Sequence, residues 1–150
     1  MLTVGDKVPE FSLILDSGEK ISSKNLKGQK TVVYFYPKDD TPGCTKEACA
    51  FQANYSKFKK KGVEVYGVSK DTVASHVKFK DKYDLGFPLI SDPDLILAKA
   101  FGAWGEKNMY GKKVFGVIRS TFVINEKGVI EKVYPKVKPE EHAAQILGEL

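Results

Sequence analysis

The sequence predicts an α/β fold in which helices cover both faces of a central mixed sheet. Residues 31–36 are a continuous run of β-branched and aromatic side chains, which is typical of a strand buried on both faces. A predicted helix over residues 42–60 and a second strand over 63–68 follow, and together they predict a βαβ unit with parallel strands. The turn at residues 125–128 separates two further strand patterns and indicates antiparallel strands in the same sheet.

The elements of the first half follow from turn residues and helix signals. Strand patterns at residues 11–15 and 19–22 flank Asp16-Ser-Gly18, which predicts an N-terminal β-hairpin extension. Pro42 occupies the first helical position, where a missing N–H costs nothing. The lysine-rich residues 57–61 precede Gly62, as expected for the last turn of a helix.

The second half contains shorter elements around a Gly-rich segment. Residues 102–116 are predicted to be a loop that lines an entrance, forms a contact surface or packs over the sheet edge. In order, the other predicted elements are a helix at 73–83, a short strand at 87–90, a helix at 94–101, strands at 120–124 and 129–134 and a closing helix at 139–150.

This order of elements is thioredoxin-like, and the composition fits one such domain over residues 1–150. With 42% hydrophobic and 29% charged residues, the chain can bury a sizeable core without disulfides or metal. The net charge of +5 comes from dispersed lysines, and Arg119 is the only arginine, which argues against a nucleic-acid partner. No apolar run is long enough to span a membrane and the first residues lack a signal-peptide pattern, so we expect a cytoplasmic protein.

The two cysteines, Cys44 and Cys49, lie five residues apart on the predicted helix. Helix geometry separates their Cα atoms by roughly 8 to 9 Å. A disulfide needs Cα atoms closer than about 7 Å. Either the two thiols never pair, or the helix must unwind locally for them to do so.

The position of Cys44 favours a reactive thiolate. With Thr41 as the N-cap, Cys44 falls in the first helical turn, where free N–H groups and the helix dipole stabilise an anion. Cys49 lies about 140° further round the helix and therefore has a different environment. Glu47 either braces the preceding loop or is simply an acidic residue in the N-terminal half of a helix, where the helix dipole favours it. The sequence does not distinguish these two roles.

The residues around Cys44 resemble a known family. Pro37-Lys-Asp-Asp-Thr41-Pro-Gly-Cys44 fits the Pro-x-x-x-Thr-x-x-Cys signature of peroxiredoxins, and Cys49 at this spacing resembles the Q-type subgroup, also called bacterioferritin comigratory proteins. The resemblance extends over nearly the whole chain, through residues 4–11, 68–71, 88–92 and 119–123.

The resemblance implies a role for each of five residues. Cys44 corresponds to the peroxidatic cysteine and Cys49 to the resolving cysteine. Thr41 corresponds to the residue whose hydroxyl contacts the peroxide, and Pro42 to the loop that shields the thiolate. Arg119 corresponds to the arginine that approaches the thiolate from a later strand.

These roles imply a thiol-dependent peroxidase that reduces hydrogen peroxide and organic hydroperoxides. A sulfenic acid on Cys44 would be resolved by Cys49 as an intramolecular disulfide, and a dithiol protein of the thioredoxin type would reduce that disulfide. The resemblance also implies a reaction without metal, haem or flavin, and it favours a monomer or a weak homodimer for this chain.

Other interpretations of the same residues stay open. The thiols could be inert core residues, and Arg119 could simply pair with a carboxylate. A metal site would have to combine Cys44 and Cys49 with His76 and His142, but we interpret both histidines as helix surface residues. A thiol-disulfide oxidoreductase on the same fold normally uses Cys-x-x-Cys, which the wider spacing disfavours. A chaperone or binding module would make the cysteines incidental.

Overall fold

The computed structural model describes residues 1–150, apart from the side chain of Met109. The first part of the chain contains most of the helices between single strands, and four consecutive strands precede the last helix. In chain order, the elements are β1 (Ser12–Leu15), β2 (Lys20–Ser22), a short 3-10 helix (Ser23–Leu26), β3 (Lys30–Phe35), α1 (Pro42–Lys60), β4 (Val63–Ser69), α2 (Val73–Tyr83), β5 (Leu89–Ser91), α3 (Ile96–Phe101), β6 (Trp104–Met109), β7 (Lys112–Val117), β8 (Ser120–Ile124), β9 (Ile130–Tyr134) and α4 (His142–Glu149).

Seven strands form one mixed sheet in the order β2, β1, β5, β4, β3, β8, β9. β3 pairs in parallel with β4, and β4 with β5, as the predicted βαβ unit requires. β8 is antiparallel to both β3 and β9, and the β1–β2 hairpin joins the sheet through an antiparallel pairing with β5. The predicted α/β fold with a mixed sheet and an N-terminal hairpin is confirmed.

β3 lies near the centre of this sheet, and its alternating side chains enter two hydrophobic cores. Val32 and Tyr34 face the core that contains α1, α2 and α4, whereas Val33 and Phe35 face the core that contains α3. Phe51 of α1 is fully buried and stacks on Tyr34 with 4.4 Å between ring centroids. Burial of one such side chain stabilises the fold by roughly 1.5 to 3 kcal/mol, so the middle of α1 is firmly attached to the sheet.

α3 begins at Ile96, slightly later than the apolar pattern predicts. Leu95 has a φ of 58°, in the left-handed region, so the helix cannot extend back through it. The carboxylate of Asp92 accepts hydrogen bonds of 3.0 Å from the backbone N–H groups of Leu97 and Ala98. This carboxylate therefore caps the first turn, and the helix starts where the cap allows.

The prediction of a loop over residues 102–116 is wrong, because β6 and β7 form an antiparallel hairpin there. Tyr110 and Gly111 are the two turn residues, and both have positive φ, at 53° and 79°. Two-residue turns of this kind favour Asn, Asp or Gly at the first position. Because Tyr110 occupies that position, the sequence pattern did not indicate a hairpin.

α4 is also shorter than predicted and begins at His142 instead of residue 139. The segment before it lies on the start of α1, where Glu140 forms an exposed ion pair of 2.9 Å with Lys46.

In the part of the chain that the structure describes, no helix combines the length and apolar character needed to cross a bilayer.

Candidate active site

The candidate catalytic residues gather where β3 ends and α1 begins. Thr41 is the N-cap of α1, with extended φ and ψ of −97° and 155°, and Pro42 follows as the first helical residue. The hydroxyl of Thr41 donates a hydrogen bond of 2.9 Å to the carbonyl of Lys38 and does not cap the helix. The N–H groups of Gly43 and Cys44 have no acceptor within the helix, because the carbonyl groups that would accept their hydrogen bonds lie before its first turn. They are available to an anion at the head of the helix.

Cys44 is buried, with 1% of its surface exposed, and faces the sheet together with Ala48 and Phe51 of the same helix. The Nη2 group of Arg119 donates a hydrogen bond to its Sγ atom over 3.2 Å. A permanent cation at this distance stabilises the thiolate form of the cysteine. The predicted approach of Arg119 to Cys44 is thus present in the structure.

Strand register explains how Arg119 reaches the site across such a long stretch of sequence. Ser120 pairs with Phe35, the last residue of β3, so the residue before it lies beside the loop that leads to α1. Gly43 leaves room for the guanidinium, since a Cβ atom there would lie only 3.3 Å from Nη2 of Arg119. The sheet therefore delivers the cation to the helix start.

Glu47 is the second partner of Arg119. Its Oε1 atom accepts a hydrogen bond of 2.6 Å from Nη1, and its side chain is fully buried. Among the described residues, Oε2 has no hydrogen-bond partner. Burial raises the pKa of Glu47 to about 7, although the positive charge of Arg119 opposes the change. The carboxyl group therefore braces the guanidinium of Arg119, a role that neither of the two alternatives left open by the sequence had named.

Cys49 lies on the exposed surface of α1, and both cysteines are free thiols. Because the helix is continuous from Pro42 to Lys60, the two sulfur atoms cannot bond in this state. The structure therefore brings Cys44, Thr41, Pro42 and Arg119 together and leaves Cys49 apart from them.

Lys107 of the β6–β7 hairpin belongs to the same electrostatic environment, and sequence reasoning missed it. Its ammonium group donates to the carbonyl of Val117 over 2.9 Å. Burial lowers the pKa of Lys107, and the nearby charge of Arg119 lowers it further, whereas the charge of Cys44 acts in the opposite direction. The hairpin thus brings a second cation near the site.

The interpretation of both histidines as surface residues is wrong. His76 is fully buried, with Nδ1 2.7 Å from Asp39 and Nε2 3.0 Å from the carbonyl of Ile90. His142 is 1% exposed, and its Nε2 atom lies 2.7 Å from the hydroxyl of Thr121. Each imidazole ring can be buried because a polar group on another part of the fold forms a hydrogen bond with one of its nitrogens.

The metal alternative is not supported by this arrangement. In the described residues, Cys44, Cys49, His76 and His142 do not form a group with ligand atoms near one another. What the site does offer is a buried sulfur beside a guanidinium and a helix start, which is suited to nucleophilic attack by a thiolate.

Comparison with known proteins extends this chemical interpretation. Residues 4–133 match the AhpC/TSA family. A protein of Coxiella burnetii that is named as a peroxiredoxin, bcp, is 51% identical over 99% of this chain and 99% of its own length. Peroxiredoxin Bcp of Bacillus subtilis is 42% identical over 97% of this chain and 93% of its own length.

A solved structure shares the same architecture. The bacterioferritin comigratory protein of Xanthomonas campestris superimposes with a TM-score of 0.88 and 41% identity, covering 96% of each chain. That protein is described for its alkyl peroxide reduction activity.

Proposed function

We propose that this chain, which belongs to the AhpC/TSA family as a peroxiredoxin of the Bcp or Q type, reduces hydrogen peroxide and organic hydroperoxides through Cys44. It is a peroxidase of the oxidoreductase class. The alkyl peroxide reduction of the Xanthomonas campestris relative supports organic hydroperoxides as substrates. The observation that carries the assignment of Cys44 is the 3.2 Å hydrogen bond from Arg119 to its buried sulfur at the start of α1.

In the first step, the Cys44 thiolate attacks one oxygen of the peroxide. A sulfur–oxygen bond forms as the oxygen–oxygen bond breaks, and the departing alkoxide or hydroxide takes up a proton to become alcohol or water. Arg119 lies where it can stabilise the negative charge that moves from sulfur to the leaving oxygen. The product on the enzyme is a Cys44 sulfenic acid.

Thr41 supplies an acceptor for the substrate. Its hydroxyl hydrogen is directed at the carbonyl of Lys38, so the lone pairs of its oxygen remain available. A peroxide O–H group can donate to that oxygen while its other atoms meet Arg119 and the first-turn N–H groups. Pro42 closes the loop over the thiolate without adding a competing N–H donor.

Cys49 resolves the sulfenic acid in the second step. Its thiolate attacks the sulfur of Cys44, a disulfide forms, and the hydroxyl group leaves as water after protonation. The start of α1 must unwind for this, because the folded helix keeps the Cα atoms roughly 8 to 9 Å apart. An exposed Cys49 needs no side-chain rearrangement of the core to reach the unwound segment.

A dithiol protein of the thioredoxin type completes the cycle. It transfers two electrons to the disulfide by thiol exchange, which returns Cys44 and Cys49 to thiols and leaves the partner oxidised.

An intramolecular bridge makes a partner subunit unnecessary for resolution, so the monomer or weak homodimer stays our prediction. The single domain over residues 1–150, the cytoplasmic location and the absence of a cofactor also stay predictions.

The test is peroxide consumption with a thioredoxin system, combined with mass spectrometry of the cysteines. We expect Cys44→Ser to abolish turnover, whereas Cys49→Ser should react once and accumulate the Cys44 sulfenic acid. Peroxide-treated wild type should contain a bridge between positions 44 and 49. Full turnover by Cys44→Ser would refute the proposal, and insulin reduction without peroxide consumption would favour the thiol-disulfide oxidoreductase instead.

A further inference from the structure

A buried hydrogen-bond network lies behind the loop that leads to α1, and the proposed function does not use it. The carboxylate of Asp39 is at its centre and is 7% exposed. Its Oδ1 atom accepts a hydrogen bond of 2.5 Å from the hydroxyl of Tyr36. Its Oδ2 atom accepts one of 2.9 Å from the hydroxyl of Ser75 and lies 2.7 Å from Nδ1 of His76. Three polar groups thus hold one carboxylate.

The backbone of Asp39 is held as well. Its N–H group donates a hydrogen bond of 2.9 Å to Oδ2 of Asp71. The hydroxyl of Ser69 donates to the same oxygen over 2.5 Å, and the hydroxyl of Ser91 donates to the Asp71 carbonyl over 2.7 Å. These contacts attach the loop to the ends of β4 and β5.

His76 links the network to the sheet. Its Nε2 atom lies 3.0 Å from the carbonyl of Ile90, and because a carbonyl can only accept, Nε2 carries a hydrogen. The opposite ring nitrogen, Nδ1, lies 2.7 Å from Oδ2 of Asp39. Since the ring is held at both ends and is fully buried, it fixes the position of the Asp39 carboxylate relative to β5.

One peptide unit connects this network to the candidate active site. The N–H of Asp39 and the C=O of Lys38 belong to the same planar, trans peptide group, so they point in opposite directions. The N–H side is bound to Asp71, and the C=O side accepts the hydroxyl hydrogen of Thr41 over 2.9 Å. Any rotation of this peptide therefore changes the direction in which the Thr41 oxygen presents its lone pairs.

We propose that His76 is a positioning residue for the peroxide reaction. By holding Asp39, it fixes the peptide between Lys38 and Asp39, whose carbonyl orients the Thr41 hydroxyl toward the substrate. The inference rests on the proposed function, because it requires that Thr41 accepts a hydrogen bond from the peroxide.

A metal site is a weaker interpretation of the same cluster. Ligand atoms of Asp39, Asp71 and His76 lie within 4.8 Å of one another. However, Oδ2 of Asp71 already accepts two hydrogen bonds, and both carboxylate oxygens of Asp39 are engaged by neighbouring side chains. The hydrogen bonds satisfy these groups without an ion.

Two substitutions at position 76 form a matched pair. Asn places a polar atom near the former Nδ1 position and can still contact Asp39, whereas Gln extends toward the former Nε2 position and loses that contact. We expect His76→Gln to slow the single-turnover oxidation of Cys44 by hydrogen peroxide about tenfold, because misplacing an oriented group costs at least this much. His76→Asn should retain most of the rate.

Two further measurements separate positioning from a general structural effect. Alkylation of Cys44 by iodoacetamide should change by no more than about twofold in His76→Gln, since this reaction needs the Cys44 thiolate but no hydrogen bond to Thr41. In a Thr41→Val background, His76→Gln should likewise add no more than about twofold to the loss of peroxide reactivity. If the losses multiply, or if alkylation slows in step with oxidation, the inference is wrong.

Ser75→Ala provides a second route if His76→Gln does not fold. It removes one donor from the Asp39 carboxylate and should slow oxidation by peroxide but not alkylation. An unchanged oxidation rate in both His76→Gln and Ser75→Ala, or in Ser75→Ala alone when the first variant is unfolded, would overturn the positioning role and leave the peroxidase function intact. Failure of wild-type Cys44 to react with peroxide would instead remove the proposed function itself.

Discussion

The guanidinium of Arg119 donates a hydrogen bond to Sγ of Cys44 over 3.2 Å. The same guanidinium binds Glu47 at 2.6 Å. Cys44 and Glu47 are three residues apart in α1, so helix geometry places both side chains on the face that meets Arg119. A single cation therefore contacts the sulfur that we propose to be peroxidatic, and it also helps to hold the first turns of α1, which unwind in the proposed mechanism.

We predict that Arg119→Ala slows oxidation of Cys44 by peroxide by roughly a hundredfold, the usual scale for losing one oriented donor to a developing negative charge. Stopped-flow measurement of a single turnover in the Cys49→Ser background measures this step directly. Arg119→Lys is the matched control, because it keeps the charge but loses the planar pair of donors, and its rate should be intermediate. Equal rates for Cys49→Ser with and without Arg119→Ala would show that the contact is not catalytic.

We also predict where α1 unwinds when the disulfide forms. Amide hydrogen exchange of the peroxide-oxidised wild type should be faster than that of the reduced protein across residues 43–54, because each helical N–H bonds to the carbonyl four residues earlier and the carbonyls up to residue 50 are released. Exchange should stay slow from Tyr55 onward, because the ring of Phe51 is buried and stacked on Tyr34 and keeps the rest of the helix in place. The N–H of Asp39 should also stay protected, since its hydrogen bond to Asp71 does not involve the helix.

Oxidised Cys49→Ser is the control for this experiment, because it forms the sulfenic acid but cannot form the bridge. Its exchange should resemble that of the reduced protein. Faster exchange without a second cysteine would mean that oxidation of Cys44 alone loosens the helix, and unchanged exchange in the disulfide form would contradict the unwinding.

Local patterns were sufficient to predict the part of the fold that positions Cys44. The β-branched run of β3 and the Pro42 start of α1 each carry a signal within a few residues. Arg119 was different, because strand pairing brings it to the site and the periodicity of the sequence does not specify that pairing. Only the resemblance to a family suggested its position, which the structure then placed beside Cys44.

The buried polar groups were not predicted, although one of them left a signal. Glu47 shares the helix face of Cys44, Ala48 and Phe51, and a charged residue on an apolar face indicates a buried partner. For His76 no such signal was available, because its partner Asp39 lies in a distant loop and only the tertiary fold brings the two together. Burial of a polar residue depends on contacts that helical spacing alone cannot specify.

We predict that His142 makes the fold sensitive to acid. Burial lowers the pKa of His142 from 6.5 to about 4. Because the folded-state pKa is depressed, the neutral ring favours the folded state, and this stability is present above pH 6.5 and is lost as the pH falls through about 4. The free energy of unfolding should therefore fall by roughly 2 to 3 kcal/mol over this interval.

The measurement is chemical unfolding of wild type and His142→Gln over the same pH interval. Gln can still reach the hydroxyl of Thr121, which lies 2.7 Å from Nε2, but it does not titrate. Contributions from other groups cancel in the difference between the two proteins. A difference that does not vary with pH would contradict the prediction.

Glu47 should have the opposite pH dependence. Its pKa in the folded protein is raised from 4.5 to about 7 by burial, against the opposing charge of Arg119. Protonated Glu47 therefore favours the folded state, and its contribution is complete below pH 4.5 and is lost as the pH rises through about 7. Wild type should become less stable relative to Glu47→Gln over this interval, by roughly 1 to 3 kcal/mol.

Both proteins in this comparison should carry Cys44→Ser, so that titration of the thiol does not contribute. Glu47→Gln keeps an oxygen that can accept from Arg119, and its amide group occupies the place of the Oε2 atom that has no partner in the described residues.

Because Glu47 lies between Cys44 and Cys49, unwinding of α1 exposes it, and the same pH dependence should apply to unwinding. We therefore expect hydrogen exchange of the first turns to accelerate with rising pH more in wild type than in Glu47→Gln, after correction for intrinsic exchange rates. If stability and exchange respond identically to pH in the two proteins, Glu47 remains ionised in the fold and does not couple unwinding to pH.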